Sequence, residues 1–232
     1  MSLVSADNSQ ITSEVDSFLS AYLGFQSNLK GVLVDTLNGL SKGMSTFSTY
    51  GQALDALESS FITGQREQLL RMLGNASVAA LERAETATGV KYEGSALDAT
   101  EALHSAFAAD LEYALQKAVR SDIKLAQDFL SVQMMAQQFT VTTRDLDLEF
   151  TVRDKAGRHL ASKEYLFREA NFATRKLYNS TLAQLMVREG MVRGYVDGGS
   201  KAGTHFNYED LDKGIAMQFF HHNAKSLLQP LD

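Results

Sequence analysis

The sequence predicts a mostly α-helical protein with a small α+β domain in its C-terminal part. Three observations predict it. Apolar residues recur at three- and four-residue intervals through most of residues 1–138, the spacing of one helix face. From Asp145 to Arg153 (Asp-Leu-Asp-Leu-Glu-Phe-Thr-Val-Arg), apolar and polar residues alternate strictly, as in a strand with one buried and one wet face. One proline stands against sixteen glycines, so helices dominate and glycine supplies most of the breaks. The expected organisation is a helical region over 1–138 joined to an α+β domain over 139–232.

Taken in order, residues 1–10 read as a loose arm. Ser13 can cap a first helix carrying Val15, Phe18, Leu19 and Tyr22, which Gly24 ends. A second helix carries Leu29, Val32, Leu33, Leu37 and Leu40. The Ser-, Thr- and Gly-rich segment Ser41–Gly51 reads as a linker or irregular turn. Short helices follow at about Gln52–Ile62, Gln65–Leu73 and Ser77–Ala87, with stripes too short to stand without partners. After a break at Gly89–Gly94, the longest pattern runs from about Ala96 to Gln138. Leu103, Phe107, Leu111, Leu115, Val119 and Ile123 recur there every four residues. At about 1.5 Å per residue this helix would reach roughly 60 Å. It is therefore expected either to bend near Arg120-Ser121-Asp122 or to project as a stalk whose apolar stripe another surface covers.

Beyond it, the alternating strand leads into the turn Asp154-Lys155-Ala156-Gly157 and a short return strand, Arg158-His159-Leu160. Ser162 is placed to cap a helix carrying Lys163 to Glu189, which stops at Gly190. Met191–Val196 reads as a strand, and Asp197–Gly203 as a flexible glycine-rich loop. A last helix is expected from about Tyr208, capped by Asn207, to Leu228, closed by Pro230.

Composition narrows the function classes. An apolar share of 44% and a charged share of 22% are those of an ordinary globular protein. A net charge of −6 argues against a general nucleic-acid binder, since neutralising phosphates needs a surplus of Lys and Arg. With no cysteine, disulfides, thiolate metal sites and thiol catalysis are excluded. No apolar run approaches the roughly 18 residues of a membrane span. The polar Met1–Gln10 stretch does not read as a signal peptide.

The turn Asp154-Lys155-Ala156-Gly157-Arg158, followed by Tyr165, Arg175 and the pair Tyr178-Asn179, resembles a known family. It is similar to the minor capsid and head-morphogenesis proteins of tailed bacteriophages, the MuF-like group. In that family a hairpin with an Asp-Gly-Arg turn leads into a long helix bearing arginine and a Tyr-Asn pair. A glycine and a strand follow, here Gly190 and Val192–Val196, and then a polar loop, here Gly198–His205. The resemblance covers about Phe150–Gly214, and the order and spacing of its motifs carry it. Asn171 stands where the family usually has a second arginine, and the family's frequent cysteine is absent. The resemblance implies a helical N-terminal part followed by a small α+β domain. It also implies a virion protein, assembled in the host cytoplasm, present in few copies and bound to portal or coat subunits. Family members that carry a fused toxin domain are longer, and none is expected in the residues that follow here. Asp154, Gly157, Arg158, Tyr165, Arg175, Tyr178 and Asn179 are then structural or interface residues, with Lys201 in the polar loop as a partner contact.

Other chemistry is weaker. Asp145, Asp147 and Glu149 put three carboxylates on one strand face, as a two-metal nuclease would need. The same residues suit a solvated strand face protected by charge against mispairing, the preferred reading. An enzyme or effector that processes DNA with a metal is the alternative function, and a cytosolic helical adaptor a third. His205, His221 and His222 invite a metal, but adjacent His221 and His222 point about 100° apart on a helix. A helical zinc pair wants a spacing of three or four. Gly198–Gly203 has the glycine content of a phosphate loop without its Gly-Lys-Ser/Thr ending. Arg153, Arg158, Arg168, Arg175, Lys176, Arg188 and Arg193 make the second half locally basic, able to meet packaged DNA or an acidic rim on a portal ring; the other reading has Arg158 and Arg175 brace the hairpin against the helix through Asp154 or Glu169. No nucleophile-elbow motif is present. No cofactor, no catalytic residue and no membrane partner is expected.

Overall fold

The computed structural model describes residues 3–44, 47–93, 95–139, 141–142, 146, 148–197, 202–208 and 226–231. Among them the chain is mostly α-helical, with small antiparallel sheets toward its C-terminal end. Four long helices span Leu3–Ser41 (α1), Phe47–Thr88 (α2), Ser95–Met135 (α3) and Ser162–Arg188 (α4). A hairpin of Thr151–Arg153 (β1) and His159–Ala161 (β2) precedes α4. After it come Arg193–Asp197 (β3), His205–Asn207 (β4) and Leu227–Pro230 (β5). These three form an antiparallel sheet in the order β4-β3-β5.

The helices are longer and fewer than the glycines predict. Residues 3–10 are not a loose arm but the start of α1, and Ile11 behind them is 2% exposed. The chain does not break at Gly24, because Tyr22, Phe25 and Leu29 continue one buried stripe across it. A helical glycine costs about 1 kcal/mol relative to alanine, while each large apolar side chain buried on the stripe returns roughly 1.5–3 kcal/mol. The three short helices expected within 52–87 are likewise one helix, α2. Its stripe runs through Tyr50, Leu54, Leu69, Met72 and Leu73 to Ala76, Ala80 and Ala84. Leu70 and Val78, placed on those stripes by the sequence, are instead exposed.

Helix α3 is continuous through Arg120-Ser121-Asp122. The middle of its stripe is covered within this chain: Leu111, Leu115, Val119, Ile123 and Leu130 are buried, while Leu103 and Phe107 are half-buried. Glycine does stop helices where φ turns positive. Gly190 (φ 72°) ends α4, with Met191 N–H donating to Met186 O and Gly190 N–H to Val187 O, a Schellman closure. Gly43 ends α1 in the same way, and at the end of α3 Gln137 takes this conformation without being glycine.

Two compact units emerge, and neither is one run of chain. The first comprises 1–16, 68–112 and 168–232, and the second comprises 17–67 and 113–167. The first unit holds the β4-β3-β5 sheet against a core that includes Ala76, Ala80, Tyr178, Leu182, Val196, Phe206, Tyr208 and Leu228. Gly194 lies in its central strand because nothing larger fits. A Cβ there would stand 2.6 Å from Phe206 Cζ and 2.8 Å from Gln229 O.

The alternation over 145–153 survives as burial: Leu146, Phe150 and Val152 are buried while Glu149 and Arg153 are exposed. The hydrogen-bonded strand is shorter than expected, with Thr151–Arg153 pairing Ala161–His159. The expected last helix fails at its C-terminal end, where Leu227–Pro230 is an edge strand paired with β3. Its only proline occupies the last position of that strand, where a missing N–H is tolerated. At the other end Asn207 closes β4, and Tyr208 N–H donates to Val192 O. Residues 209–225 lie outside the described residues.

Candidate functional site

The residues that carry the family resemblance divide between the two units. In the second unit, Asp154 builds the hairpin turn almost alone. Its Oδ1 accepts from the N–H of Ala156 (2.9 Å) and of Arg158 (2.8 Å), and its Oδ2 from Arg158 Nε (2.7 Å). Gly157 takes φ 80° in the turn. Partial desolvation raises the Asp154 carboxyl, but the Arg158 N–H and guanidinium outweigh it and hold the group below the ordinary carboxylate range. Arg158 is thus spent inside its own turn and does not brace hairpin against helix. Tyr165 is buried on α4, with Lys117 Nζ 5.6 Å from its ring centroid.

In the first unit, Arg175 is 5% exposed. It donates to Asn171 Oδ1 (2.7 Å), Asn8 Oδ1 (2.6 Å) and Thr12 Oγ1 (3.3 Å), and desolvation lowers it to about 10. Asn171, at the family's second arginine position, is therefore a direct partner of Arg175. Tyr178 is fully buried and donates to Asp7 Oδ2 (3.2 Å). Asn179, also fully buried, works as a splint for β5, accepting from Leu228 N–H (2.8 Å) and donating to Ser226 O (3.1 Å). Sequence reading missed Asp7, Asn8 and Thr12, because a polar N-terminal segment resembles an arm when its partner helix is not in view.

A second feature escaped it altogether. Asp122 is fully buried in the second unit. It accepts from Tyr22 OH (2.5 Å), Gln26 Nε2 (2.8 Å) and Ser162 Oγ (2.6 Å). Ser162, the first residue of α4, thus gives its hydroxyl proton to this carboxylate. Burial pushes the Asp122 carboxyl up to about 6, against the opposing pull of these three donors. The same burial and the Asp122 charge push Tyr22 up. The signal was present in the sequence: Asp122 falls in phase with Leu115, Val119 and Ala126 on the buried stripe.

A concave surface lies beside this node, within the second unit. Leu23, Gln26, Ser27 and Lys30 of α1 face Leu148–Thr151, His159, Ala161 and Lys163 across a groove of about 660 Å³. Lys30 Nζ sits 5.5 Å from the Phe150 ring centroid.

Of the remaining sequence candidates, Glu149 and His205 lie among the described residues. Glu149 is exposed at the groove, while Asp145 and Asp147 lie outside the described residues. His205 is exposed on β4, its ring 6.5 Å from Tyr195. His221, His222 and Lys201 lie outside the described residues, as do 198–200 of the glycine-rich loop. Among the described residues no group of three or more His, Asp or Glu side chains gathers as metal ligands would. Nor is any helix among them long and apolar enough to cross a membrane. Compared with protein-family models, with curated proteins and with solved structures, the chain matches none.

Proposed function

We propose that this chain is a structural, protein-binding subunit: a minor head protein of the tailed-phage kind that binds portal or coat subunits and aids head assembly or genome delivery. The observation that carries the reading is the ordered series Asp154-to-Arg158 turn, Tyr165, Arg175, Tyr178-Asn179, Gly190 and strand, which resembles that family in sequence. The placement of these side chains supports a structural role for them. Asp154 and Arg158 close a turn, Arg175 ties α4 to Asn8 and Thr12, and Asn179 holds β5. Groups satisfied internally in this way build a scaffold and leave binding to the surfaces around it. The chain would act in the virion, after assembly in the host cytoplasm, by surface burial and electrostatic matching rather than bond-making.

The test is size-exclusion chromatography of the purified chain with portal rings and with coat subunits of a phage that encodes it. Co-migration with either supports the reading. It is overturned if the chain runs alone against both and cleaves plasmid DNA when Mg²⁺ or Mn²⁺ is added. In that case loss of cleavage on replacing Asp145, Asp147 and Glu149 by alanine would establish the nuclease alternative.

A further inference from the structure

Two consecutive residues of α3 hold the hairpin and the start of α4. Ser121 Oγ donates to Thr151 O (2.7 Å), and Asp122 Oδ1 accepts from Ser162 Oγ (2.6 Å). Asp122 Oδ2 accepts from Tyr22 and Gln26 of α1. One carboxyl group thus ties α3 to α1 through one oxygen and to α4 through the other. It has no counter-charge: it is fully buried, and no Lys, Arg or His among the described residues pairs with it. Tyr22 is the titratable group that faces it, and burial and the Asp122 charge keep that phenol protonated. The charges nearby are directed elsewhere. Lys30 of α1 lies at the Phe150 ring, Lys117 of α3 at the Tyr165 ring, and Arg120 of α3 at Glu58 of α2. Lys163 and Glu164, which follow Ser162 in α4, are exposed, as are Arg153 and His159 of the hairpin, which bond to each other.

A buried carboxyl without a cation is favoured in its neutral form. The cluster accommodates the proton, because Ser162 Oγ can reverse from donor to acceptor while Tyr22 and Gln26 stay on Oδ2. We propose that Asp122 is a proton-operated latch on the start of α4, closed while it holds its proton and eased open as it ionises. The element it frees is the hairpin with the first turn of α4. Strands of three residues make few backbone bonds there, and such segments open before the rest of a fold. Closed, the carboxyl stands at about 6, because burial outweighs the three donors; opened to water it returns to the ordinary 3.8. Closure is therefore favoured in full below about pH 4. It weakens as pH rises to about 6, and the opening equilibrium shifts by about a hundredfold. The groove shares residues with the latch: Gln26 lines it, as do Ala161 and Lys163 on either side of Ser162. The latch belongs to this unit alone and does not depend on the reading of the chain as a head protein.

The test is native-state hydrogen exchange of the full chain between about pH 4 and 7 in low urea, corrected for the intrinsic pH dependence of exchange. Protection of the Ser162, Tyr165 and Leu166 amides, taken relative to the Asp122→Asn variant, should fall about a hundredfold over that range. It should also respond little to low urea, as a small local opening does, unlike the protection of Leu182 and Leu185 deeper in α4. Protection that keeps a constant ratio to the variant overturns the proposal. So does a urea dependence as steep as that of Leu182 and Leu185, which would mean that only general unfolding exposes Asp122. If the variant does not fold, the native chain decides alone. The Asp122 carboxyl, followed by carbon-13 NMR, should titrate with a midpoint at about 6, and the three amides should change in step with it. A midpoint at about 4, or amides that do not follow the titration, overturns the latch.

Discussion

Asp122 is an ionisable group buried among the neutral donors Tyr22, Gln26 and Ser162, and its effect on stability has a definite sign. Its folded value of about 6 lies above the ordinary 3.8. Folding is therefore favoured in full below about pH 4, where both states hold the proton. The contribution falls as pH rises toward 6, because the unfolded chain ionises first. At about 1.4 kcal/mol per tenfold, the loss is up to about 3 kcal/mol. Asp122→Asn keeps the shape and removes the titration. The stability of the native chain minus that of the variant, from urea unfolding, should drop by that amount between pH 4 and 7; parallel curves would contradict it. Asn179→Ala tests a second buried polar residue. It strands Leu228 N–H and Ser226 O, each of which Asn179 now satisfies, and should cost about 2–4 kcal/mol in the same assay. The identities of Tyr178 and Asn179 were legible as a motif. Their partners were not, since those lie 171 and 49 residues away along the chain.

At the scale of elements, the sequence was legible wherever one signal dominated. Strict alternation located the β1–β2 hairpin, four-residue spacing located α3, and Gly190 marked the end of α4. It misled where glycine competed with a stripe. Gly24 and Gly190 look alike in sequence, but only Gly190 has φ above zero (72°), and a Cβ on Gly24 would meet nothing within 4 Å. Alanine should therefore act with opposite signs: Gly24→Ala raises stability by about 0.4–1 kcal/mol, and Gly190→Ala lowers it by about 1 kcal/mol. Thermal melts of the two variants check this, and a destabilising Gly24→Ala would mean that the helix does break there. The C-terminal strand β5 was illegible for another reason. Leu227-Leu228-Gln229-Pro230 has no periodicity of its own, and only pairing with β3 and the Asn179 splint make it a strand.

On the scale of the whole molecule, the net charge of −6 bears on solubility and non-specific association, not on the fold. Fold class was legible because it sums many local preferences. The groove was not legible, because it is assembled from distant segments, α1 and a hairpin more than a hundred residues later. If the chain is a minor head protein, then quantitative mass spectrometry of purified, nuclease-treated particles of its phage should find it at a low, fixed number of copies per portal ring. Particles that contain portal and coat protein but none of this chain would contradict that.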